Sequence, residues 1–588
     1  MQNNNKRKGY PFIRSGDVNK SAGAKSINAS YRPFHAAIET GRTRLLITAT
    51  ILGITFIAVG AKVINLATLH NDQKVAKNHA IPQANNIARA NIIDRNGNVV
   101  ATNLTMASLF ADPRNILEPD KVATLLTKTL PGIDRGKITA LLTRKRKFVW
   151  IKRHLTPRQQ QAVNQLGIPG LNFRREHKRF YPHGTLMAHS LGYVDIDNQG
   201  IAGIEKHFDG RLDSDREPLK LSLDLRVQHK LRVALAESMS RHRASGAAGI
   251  VMNVTNGQVI AMVSVPDFDP NNPGKTPPGR RFNKASQGVY ELGSTFKILT
   301  AAIALDVGIV TLRNGYDATR PIKISGFTIN DHYGKRRWLS VPEIFIYSSN
   351  IGAGHMALDT GVKTQKSYLD KLGLLHRAAI ELPEVGTPIV PGNWGRIETV
   401  TIAFGHGISV SPLQLTAAIA ASINGGVFHE PTIVKNNDHE KGKRVFTAAT
   451  SEKMRRLLRL SVLEGTGKAA AAQGYLVGGK TGSAEKRGSG GYDKDLLISS
   501  FVGVFPMTRP RYVVFAMLDE PVGTAETKFH ATGGWVAAPI VGKVIKQIAP
   551  ILNVVPIDEN TPSIRKALTI RSYKPTPEAR TLASFRAH

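Results

Sequence analysis

A run of 17 uncharged residues near the amino terminus, residues 45–61, constrains the topology of this chain more than any other feature. Lys62 interrupts the run, and an apolar segment then resumes as far as Leu69. A helix over residues 45–66 would be about 33 Å long, enough to cross a hydrocarbon core of about 30 Å. We therefore predict a transmembrane anchor over residues 45–66, with Lys62 extending its ammonium group to the lipid headgroups.

Two other interpretations of this run are open, a buried core helix and a cleaved signal peptide. A core helix would show polar positions along one side, whereas this run offers only threonines. A signal peptide has a short leader before an apolar region of about 7–15 residues, whereas 44 residues precede this one. Residues 1–44 hold nine lysines and arginines against two acidic residues, which predicts a basic cytoplasmic tail and an outer location for everything after about residue 67.

The net charge of +35 invites a nucleic-acid partner, but its distribution does not favour one. Beyond the two basic ends the charge is spread without a dominant basic run, and no nucleic-acid-binding motif is present. A cationic surface facing anionic envelope polymers and lipids is the simpler interpretation. The absence of cysteine excludes disulfides and thiolate chemistry.

The outer part of the chain divides into two regions and a tail. Residues 67–220 mix short strands with polar connections and include "ANIIDRNGNVVATN", where Asn96-Gly97 predicts a hairpin turn. Residues 221–556 have strand patterns at both ends, with helices such as 412–423 and 452–463 between them, which indicates one α/β or α+β domain. Residues 557–588 are basic and contain proline, which predicts a flexible tail.

Within the larger domain, Ser294 and Lys297 lie one helical turn apart at the start of an apolar helix, in "YELGSTFKILTAAIALDVG". The Ser-x-x-Lys pattern alone is weak evidence, because it recurs at Ser483/Lys486 and Ser563/Lys566. A serine at such a position also commonly does no more than cap its helix. Taken alone, the pair leaves both interpretations open.

Two further elements follow the pair in a fixed order, Ser348-Ser349-Asn350 and then Lys480-Thr481-Gly482 on a strand-like run. Together the three elements predict a serine nucleophile for acyl transfer, with Lys297 as its base if the amine is neutral. Burial and a second cation, Lys480, would both depress the pKa of Lys297. Ser348 could relay a proton to the departing amine, and Asn350 could hold the substrate amide. Thr481 could bind a terminal carboxylate, while Gly482 lets substrate backbone approach the sheet edge.

This ordered set resembles the signature of the penicillin-binding proteins and serine β-lactamases. Stretches such as "IIDRNGNVVAT", "GIAGIEKHFD" and "FGHGISVSPLQLTAA" resemble the class B penicillin-binding proteins, above all their cell-division branch. The resemblance implies an α+β chain with one N-terminal transmembrane helix, an elongated, mostly-β, non-catalytic pedestal module, and a transpeptidase domain like a serine β-lactamase, with an antiparallel sheet flanked by helices. Two departures are Leu292, where many relatives have proline, and Ser483, where threonine is usual.

The resemblance also implies the reaction and the surroundings. Ser294 would attack a D-Ala-D-Ala stem peptide, an amine of a second stem would accept the acyl group, and β-lactams would inhibit. The backbone N–H groups of Ser294 and Ser483 would form the oxyanion hole, and neither a metal nor an organic cofactor would be needed. The protein would lie at the division septum in the inner membrane, with its catalytic domain in the periplasm. Its implied partners are FtsW, FtsN and FtsQLB.

The same residues distinguish this chain from some neighbouring classes of protein and leave others as alternatives. A class A β-lactamase would carry a Glu-x-x-Leu-Asn stretch between the second and third elements, and this chain has none. A bifunctional enzyme would need a glycosyltransferase domain of about 200 residues ahead of Ser294, and the roughly 150 outer residues before the catalytic domain are too few and lack its character. The elongation-specific class B enzymes share anchor, module and motifs, so they stay an alternative. A non-catalytic scaffold or β-lactam sensor is a second alternative, although sensors usually have further spans or a cytoplasmic signalling domain.

Overall fold

A computed structural model describes residue 44 and residues 46–62, 88–435, 442–488 and 491–570. Residues 46–62 form helix α1, all of whose side chains are exposed. None of the helices within the described ranges is both long and apolar enough to cross a membrane. Residue 45, residues 63–66 and the predicted cytoplasmic tail up to residue 43 lie outside the described residues, so the anchor over residues 45–66 stays a prediction.

The chain separates into two units, residues 1–85 and residues 86–588, and the folded structure below belongs to the second. Its first part, up to residue 220, has the strands β1 (Ile92–Ile93), β2 (Val99–Ala111), β3 (Val149–Leu155), β4 (Leu171–Phe180), β5 (Tyr193–Val194), β6 (Gly200–Ala202) and β7 (Leu219–Lys220). Its helices are α2 (Pro119–Thr129), α3 (Arg135–Leu142), α4 (Pro157–Asn164), α5 (Ala188–Leu191), α6 (Gly203–His207) and α7 (Asp209–Ser214).

The long strand β2 organises this pedestal module. β2 pairs with β1, β3 and β4, all antiparallel, and β7 adds to β1 in parallel. Helix α2 buries Val122, Ala123 and Leu126 in the same apolar cluster as Leu109 of β2. The expectation of a mostly-β module is therefore wrong, because apolar residues at helical spacing build helices that cover the sheet.

The hairpin predicted at Asn96-Gly97 joins β1 to β2. Gly97 has φ +93°, a conformation that favours glycine. The carboxylate of Asp94 accepts hydrogen bonds from the backbone N–H groups of Asn96 (2.8 Å) and Asn98 (2.9 Å). The prediction of this turn is confirmed, and the side chain of Asp94 closes it.

A buried ion cluster ties the start of the pedestal module to its later part. Glu205 of α6 accepts from Arg89 Nε at 2.8 Å and from Arg179 Nε at 2.7 Å, with all three side chains almost fully shielded from solvent. Arg89 also contacts Asp209 and Asp213 of α7. Because two arginines share Glu205, the stability of this cluster depends on that carboxylate. Removing it would leave buried positive charge without its partner.

The second part, which begins after β7, has the remaining elements. Its helices are α8 (Leu225–Arg241), α9 (Pro278–Arg281), α10 (Lys297–Asp306), α11 (Val341–Tyr347), α12 (Asn350–Thr360), α13 (Val362–Lys371), α14 (Arg396–Ala403), α15 (Pro412–Ile423), α16 (Ala448–Leu463), α17 (Gly533–Val536), α18 (Ala538–Ile548) and α19 (Pro562–Leu568). Its strands are β8 (Gly246–Asn253), β9 (Val259–Val265), β10 (Gly315–Asp317), β11 (Ile322–Ile324), β12 (Phe327–Ile329), β13 (Trp338–Ser340), β14 (Val427–Phe428), β15 (Lys443–Arg444), β16 (Gly478–Gly488), β17 (Gly491–Phe505) and β18 (Tyr512–Asp519).

Five of these strands form an antiparallel sheet in the order β16-β17-β18-β8-β9. Alternate residues face opposite sides, as strand geometry requires: Val251 packs in a cluster with α8 and α18, whereas Ile250 and Met252 pack in another with α10, α15 and α16. The expected antiparallel sheet flanked by helices is confirmed. Because β16 lies at the end of the order, one of its edges pairs with no other strand among the described residues.

The helices and the carboxyl-terminal residues of this domain differ in part from what the sequence predicts. The helix predicted over residues 412–423 is confirmed, and the one predicted from residue 452 begins at Ala448 because Thr447 caps it. The flexible tail expected from residue 557 is wrong for residues 557–570: Glu559 pairs with Arg459, and Ile570 is buried in the domain core. Residues 571–588 lie outside the described residues.

Candidate active site

The turn that carries Ser294 lies where the end of the sheet meets helix α10. Residues Gly293–Phe296 form a 3-10 turn, and Lys297 begins α10 directly after it. Nine of the ten residues of α10 are buried, Lys297 among them. The expectation of an apolar helix opened by this serine is confirmed, with the nucleophile candidate on the turn before the helix proper.

The side-chain nitrogen of Lys297 lies within hydrogen-bond distance of three side chains that the sequence predicts for the site. Its Nζ lies 3.0 Å from Ser294 Oγ, 3.1 Å from Ser348 Oγ and 2.7 Å from Asn350 Oδ1. It also donates to the backbone oxygen of Ser348 at 2.6 Å. The structure therefore brings the first two sequence elements, 54 residues apart, onto a single nitrogen atom.

The pKa of Lys297 is lowered well below its ordinary value of 10.5. Burial is the largest cause, because it removes water from the charged form, and the positive charge of Lys480 adds to it. The carboxylate of Asp331 acts in the opposite direction and raises the pKa. A depressed pKa makes the neutral amine, which can accept a proton, accessible at a lower pH than in an ordinary lysine.

Ser348 occupies a strained position between two helices. It is the C-cap of α11 in the left-handed conformation (φ 57°, ψ 43°), which a non-glycine residue adopts only at a cost. Ser349 then caps α12, its hydroxyl accepting from the backbone N–H of Gly352 at 2.9 Å. This tight junction turns the Ser348 hydroxyl inward, where it meets both Lys297 and Lys480.

Lys480 reaches the same hydroxyl from strand β16. Its Nζ lies 2.9 Å from Ser348 Oγ and 3.3 Å from Thr481 Oγ1, and the residue has 0% exposure. Burial lowers the pKa of Lys480 to about 7. The hydroxyl of Ser348 is thus shared by two lysines, each of which burial makes easier to deprotonate.

The residues that follow Lys480 pack closely against the nucleophile turn. Thr481 Oγ1 lies 2.8 Å from Thr466 Oγ1, in a hydrogen bond that either can donate. A Cβ on Gly482 would lie 2.4 Å from the backbone oxygen of Leu292, so no side chain fits there. Ser483 Oγ accepts from the backbone N–H of Gly533 at 3.0 Å. The hydroxyl at this position is therefore held by the chain itself.

Sequence analysis does not predict two residues that contact the site, Asp331 and Thr466. Asp331 accepts from Ser349 Oγ at 2.7 Å and from the backbone N–H groups of Asn350 and Ile351, and so holds the start of α12. Thr466 supports Thr481, as described above. Neither carries a motif, and only the fold shows their contacts with the site.

The eight residues singled out from the sequence thus gather around one cleft: Ser294, Lys297, Ser348, Asn350, Lys480, Thr481, Gly482 and Ser483. A serine hydroxyl beside a buried, easily deprotonated amine is an arrangement suited to nucleophilic acyl transfer. In the part of the chain that the structure covers, no group of three His, Asp or Glu side chains could hold a metal ion.

Two family models match the chain. The penicillin-binding protein transpeptidase domain matches residues 247–546, and the penicillin-binding protein dimerisation domain matches residues 84–220. The first range contains all eight residues of the cleft, and the second contains the buried ion cluster.

Several curated proteins are similar over most of their length. The "Probable peptidoglycan D,D-transpeptidase FtsI" of Caulobacter vibrioides is 37% identical over 79% of this chain and 82% of its own. The "Probable peptidoglycan D,D-transpeptidase PenA" of Neisseria gonorrhoeae is 31% identical over 84% and 88%. The "Peptidoglycan D,D-transpeptidase FtsI" of Escherichia coli K12 is 27% identical over 91% and 96%.

Among solved structures, penicillin-binding protein 3 of Mycobacterium tuberculosis in its apo form has a TM-score of 0.63 and 23% identity, and covers 82% of this chain and 99% of its own. A peptidoglycan synthetase from Bifidobacterium adolescentis has a TM-score of 0.65 and 21% identity, with coverages of 81% and 97%. At these identities the likeness extends to the fold alone.

Proposed function

Since this chain belongs to the class B penicillin-binding proteins, we propose that it is the peptidoglycan D,D-transpeptidase of the division septum. Its reaction joins two stem peptides through an acyl-serine intermediate on Ser294, and β-lactams inhibit it by acylating the same serine. The similarity to proteins named FtsI supports the septal assignment.

The observation that carries the proposal is the environment of Lys297 Nζ. This nitrogen is buried, has a depressed pKa, and lies 3.0 Å from Ser294 Oγ. A lysine placed only for packing would extend its ammonium towards water. Here it is enclosed by Ser294, Ser348 and Asn350, as a general base beside a nucleophile requires.

In the acylation step, neutral Lys297 takes the proton of Ser294 while Oγ attacks the carbonyl carbon of the penultimate D-alanine. The bond between this carbon and the nitrogen of the terminal D-alanine then breaks, and an ester to Ser294 remains. The departing nitrogen needs a proton, and Ser348 Oγ is placed to pass it on, because it lies 3.1 Å from Lys297 Nζ. Free D-alanine leaves.

The substrate would be held at both ends of the scissile bond. Lys480 and Thr481 provide a cation and a hydroxyl for the terminal carboxylate. The backbone N–H groups of Ser294 and Ser483 provide the oxyanion hole, and the close contact of Gly293 with Ser483 fixes their separation. Losing one such donor costs about 10²–10³ in turnover. Asn350 orients the substrate amide and, through its Oδ1, the amine of Lys297.

In the second half of the reaction Ser294 Oγ is the leaving group and an amine is the nucleophile. The amine of a neighbouring stem peptide attacks the ester carbon, its proton passes to Lys297, and Ser294 Oγ leaves with a proton as the new amide forms. None of these steps uses a metal or an organic cofactor.

The location and the partners of the protein follow from the same family resemblance. Residues 45–66 would anchor the protein in the inner membrane as a single span, with residues 1–44 in the cytoplasm and the rest in the periplasm. Residues 67–220 would form the non-catalytic pedestal, residues 221–556 the transpeptidase domain, and residues 557–588 a basic end. The partners would be FtsW, FtsN and FtsQLB, met through the anchor and the pedestal.

Acylation by a fluorescent penicillin tests the proposal, with the full chain in detergent and the product measured by intact mass. We expect one covalent adduct in the wild type and none in Ser294→Ala. A folded wild-type protein without an adduct would leave a scaffold that only keeps the motifs. An adduct that persists in Ser294→Ala would identify another serine as the nucleophile. Loss of the gene should produce filamentous cells; rounded cells would favour the elongation-specific alternative.

A further inference from the structure

The charge of the pedestal module is unevenly distributed. Residues 111–180 hold sixteen lysines and arginines against five acidic residues, whereas residues 181–220 hold four against seven. The first range contains the strands β3 and β4 and the helices α2, α3 and α4. One part of the module is therefore strongly cationic and the other weakly acidic, and a partner of negative charge would be attracted to the first part.

The densest positive charge lies in the connection between α3 and β3. Residues 144–147 are four consecutive lysines and arginines, and all four side chains are exposed. None of them forms an ion pair with a residue that the structure describes. Two acidic residues of the same module have other partners, since Asp112 pairs with Arg114 at 2.7 Å and Glu176 with Arg153 at 2.9 Å. The charge of residues 144–147 is therefore open to a ligand.

Three aromatic rings cluster directly beside this connection. The ring centroid of Phe148 lies 4.7 Å from that of Phe110 and 4.8 Å from that of Trp150. Phe110 of β2 and Trp150 of β3 lie opposite each other in the antiparallel register. The guanidinium of Arg153, which Glu176 holds, lies 5.3 Å from the ring centroid of Trp150. The aromatic cluster is thus fixed in position next to the four cations.

This aromatic cluster is not part of the module's core. Leu109 and Val149, the chain neighbours of the cluster, are buried in the core that α2, α3 and α4 cover. Because strand residues alternate between the two faces of a sheet, Phe110 and Trp150 face away from these helices. Both rings, and that of Phe148, are only half-buried. We call this surface, formed by Phe110, Phe148, Trp150 and residues 144–147, the basic aromatic face.

A bilayer surface that contains anionic phospholipid matches the chemistry of the basic aromatic face. Lysine and arginine side chains are attracted to anionic headgroups, and tryptophan rings prefer the level of the headgroups. Lipids can diffuse to each of four adjacent cations, whereas an acidic protein would need carboxylates at four fixed positions. The anchor proposed over residues 45–66 would keep a bilayer nearby, because residues 67–88 can span at most about 75 Å.

We propose that the basic aromatic face binds the bilayer surface through anionic phospholipid headgroups, with residues 144–147 contacting the phosphates and the rings of Phe148 and Trp150 lying at the headgroup level. The contact is a second attachment of the chain to the membrane, and it restricts the directions in which the outer part can face. It uses no residue of the catalytic cleft and so goes beyond the proposed function. It rests on the proposed anchor only for the nearness of a bilayer.

The test measures how close this face lies to lipid headgroups. Because the chain has no cysteine, Thr143→Cys places a single fluorescent label beside residues 144–147. Gln160→Cys places a control label on α4, on the side of the sheet that the helices cover; both positions are exposed. The full chain is reconstituted into nanodiscs of phosphatidylcholine, alone or with an equal part of phosphatidylglycerol. All discs contain the same fraction of a lipid with a nitroxide quencher on its headgroup.

We expect quenching at residue 143 to be about twofold stronger in the discs that contain phosphatidylglycerol, because the cations bind its headgroups. High salt should remove this difference. At residue 160 the lipid composition should have no effect. Equal quenching of residue 143 in the two kinds of disc would overturn the inference, and would leave an acidic protein or a soluble anionic polymer as the ligand of this face.

Two variants of the Thr143→Cys chain with the same loss of charge test the assignment to this face. The test variant combines Arg144→Gln, Lys145→Gln, Arg146→Gln and Lys147→Gln, and should lose the effect of phosphatidylglycerol. The control variant replaces four exposed cations of α2 and α3 and should keep the effect: Lys121→Gln, Lys128→Gln, Arg135→Gln and Lys137→Gln. An effect that survives in the test variant, or is lost equally in both, would overturn the assignment. No result depends on acylation of Ser294, so failure of the inference and failure of the proposed function are distinguishable.

Discussion

A Cβ atom on Gly293 would lie 2.4 Å from the backbone oxygen of Ser483, closer than any side chain can tolerate. Gly293 also has φ +56°, where a side chain adds strain. Gly293→Ala should therefore push the nucleophile turn away from β16 and separate the two oxyanion donors. We expect penicillin acylation to slow by about 10²–10³, the cost of losing one such donor.

The matched control for this change is Gly308→Ala. Gly308 has φ +78°, but a Cβ there would meet nothing within 4 Å. We expect a loss of about 1 kcal/mol in the free energy of unfolding from backbone strain and no change in the acylation rate. If both variants acylate at the wild-type rate, the contact between Gly293 and Ser483 does not govern the oxyanion hole.

The pH dependence of acylation should report the pKa of Lys297. Only the neutral amine accepts the proton of Ser294, so the rate should be low in acid and rise as Lys297 loses its proton. Because burial and Lys480 lower this pKa, the rise should be centred well below 10.5. A stopped-flow pH profile of acylation measures it, and a rise centred near 10.5 would contradict a buried base.

Lys480→Gln should move that rise to higher pH. Lys480 lowers the pKa of Lys297 through its positive charge, so its removal lets Lys297 hold its proton longer. The effect is largest at pH values below about 7, the pKa of Lys480 itself, where that residue is charged. The maximal rate should fall as well, because the carboxylate of the penicillin loses its cation. An unshifted profile would mean that the two lysines do not interact.

Asp331→Asn should move the rise in the opposite direction, to lower pH. The carboxylate of Asp331 raises the pKa of Lys297, and asparagine removes that charge while keeping an oxygen that can accept from the N–H groups at the start of α12. The same pH profile measures the shift. A shift of Asp331→Asn and Lys480→Gln in the same direction would point to general disturbance of the cleft rather than to charge.

The ion cluster of the pedestal predicts a stability effect far from the cleft. Glu205→Gln leaves Arg89 and Arg179 buried without their shared carboxylate, so the free energy of unfolding should fall by about 3–5 kcal/mol. Chemical denaturation followed by circular dichroism measures the loss. The control Glu118→Gln breaks an exposed pair, which contributes at most about 1 kcal/mol. Equal effects of the two substitutions would contradict the dependence on Glu205.

Sequence alone predicts the features that depend on local order. The hairpin at Asn96-Gly97 follows from turn chemistry, and helix α15 matches the helix predicted over residues 412–423. The eight cleft residues follow from three short motifs whose residue types match one reaction. These features can be predicted from the sequence because each depends on residues that are close together in the chain.

Features that depend on distant contacts escape such analysis. Asp331 supports the start of α12 from 18 residues away in the chain, through a carboxylate that no motif marks. The pedestal has helices, whereas a mostly-β module is expected from the sequence. The apolar residues of these helices belong to a core that forms only with β2, and this long-range contact is not visible in the sequence. Residues 557–570 look like a polar tail, yet Glu559 and Ile570 find partners in the domain.

The place of Arg89 in the chain gives the buried cluster a mechanical consequence. Arg89 precedes strand β1 by three residues, and its guanidinium contacts Glu205, Asp209 and Asp213. A pull that enters the pedestal through its amino-terminal chain meets this group before it meets the two-residue strand β1. Such a pull would load the ion pairs of Arg89 together, and through them helices α6 and α7, before it reached the sheet.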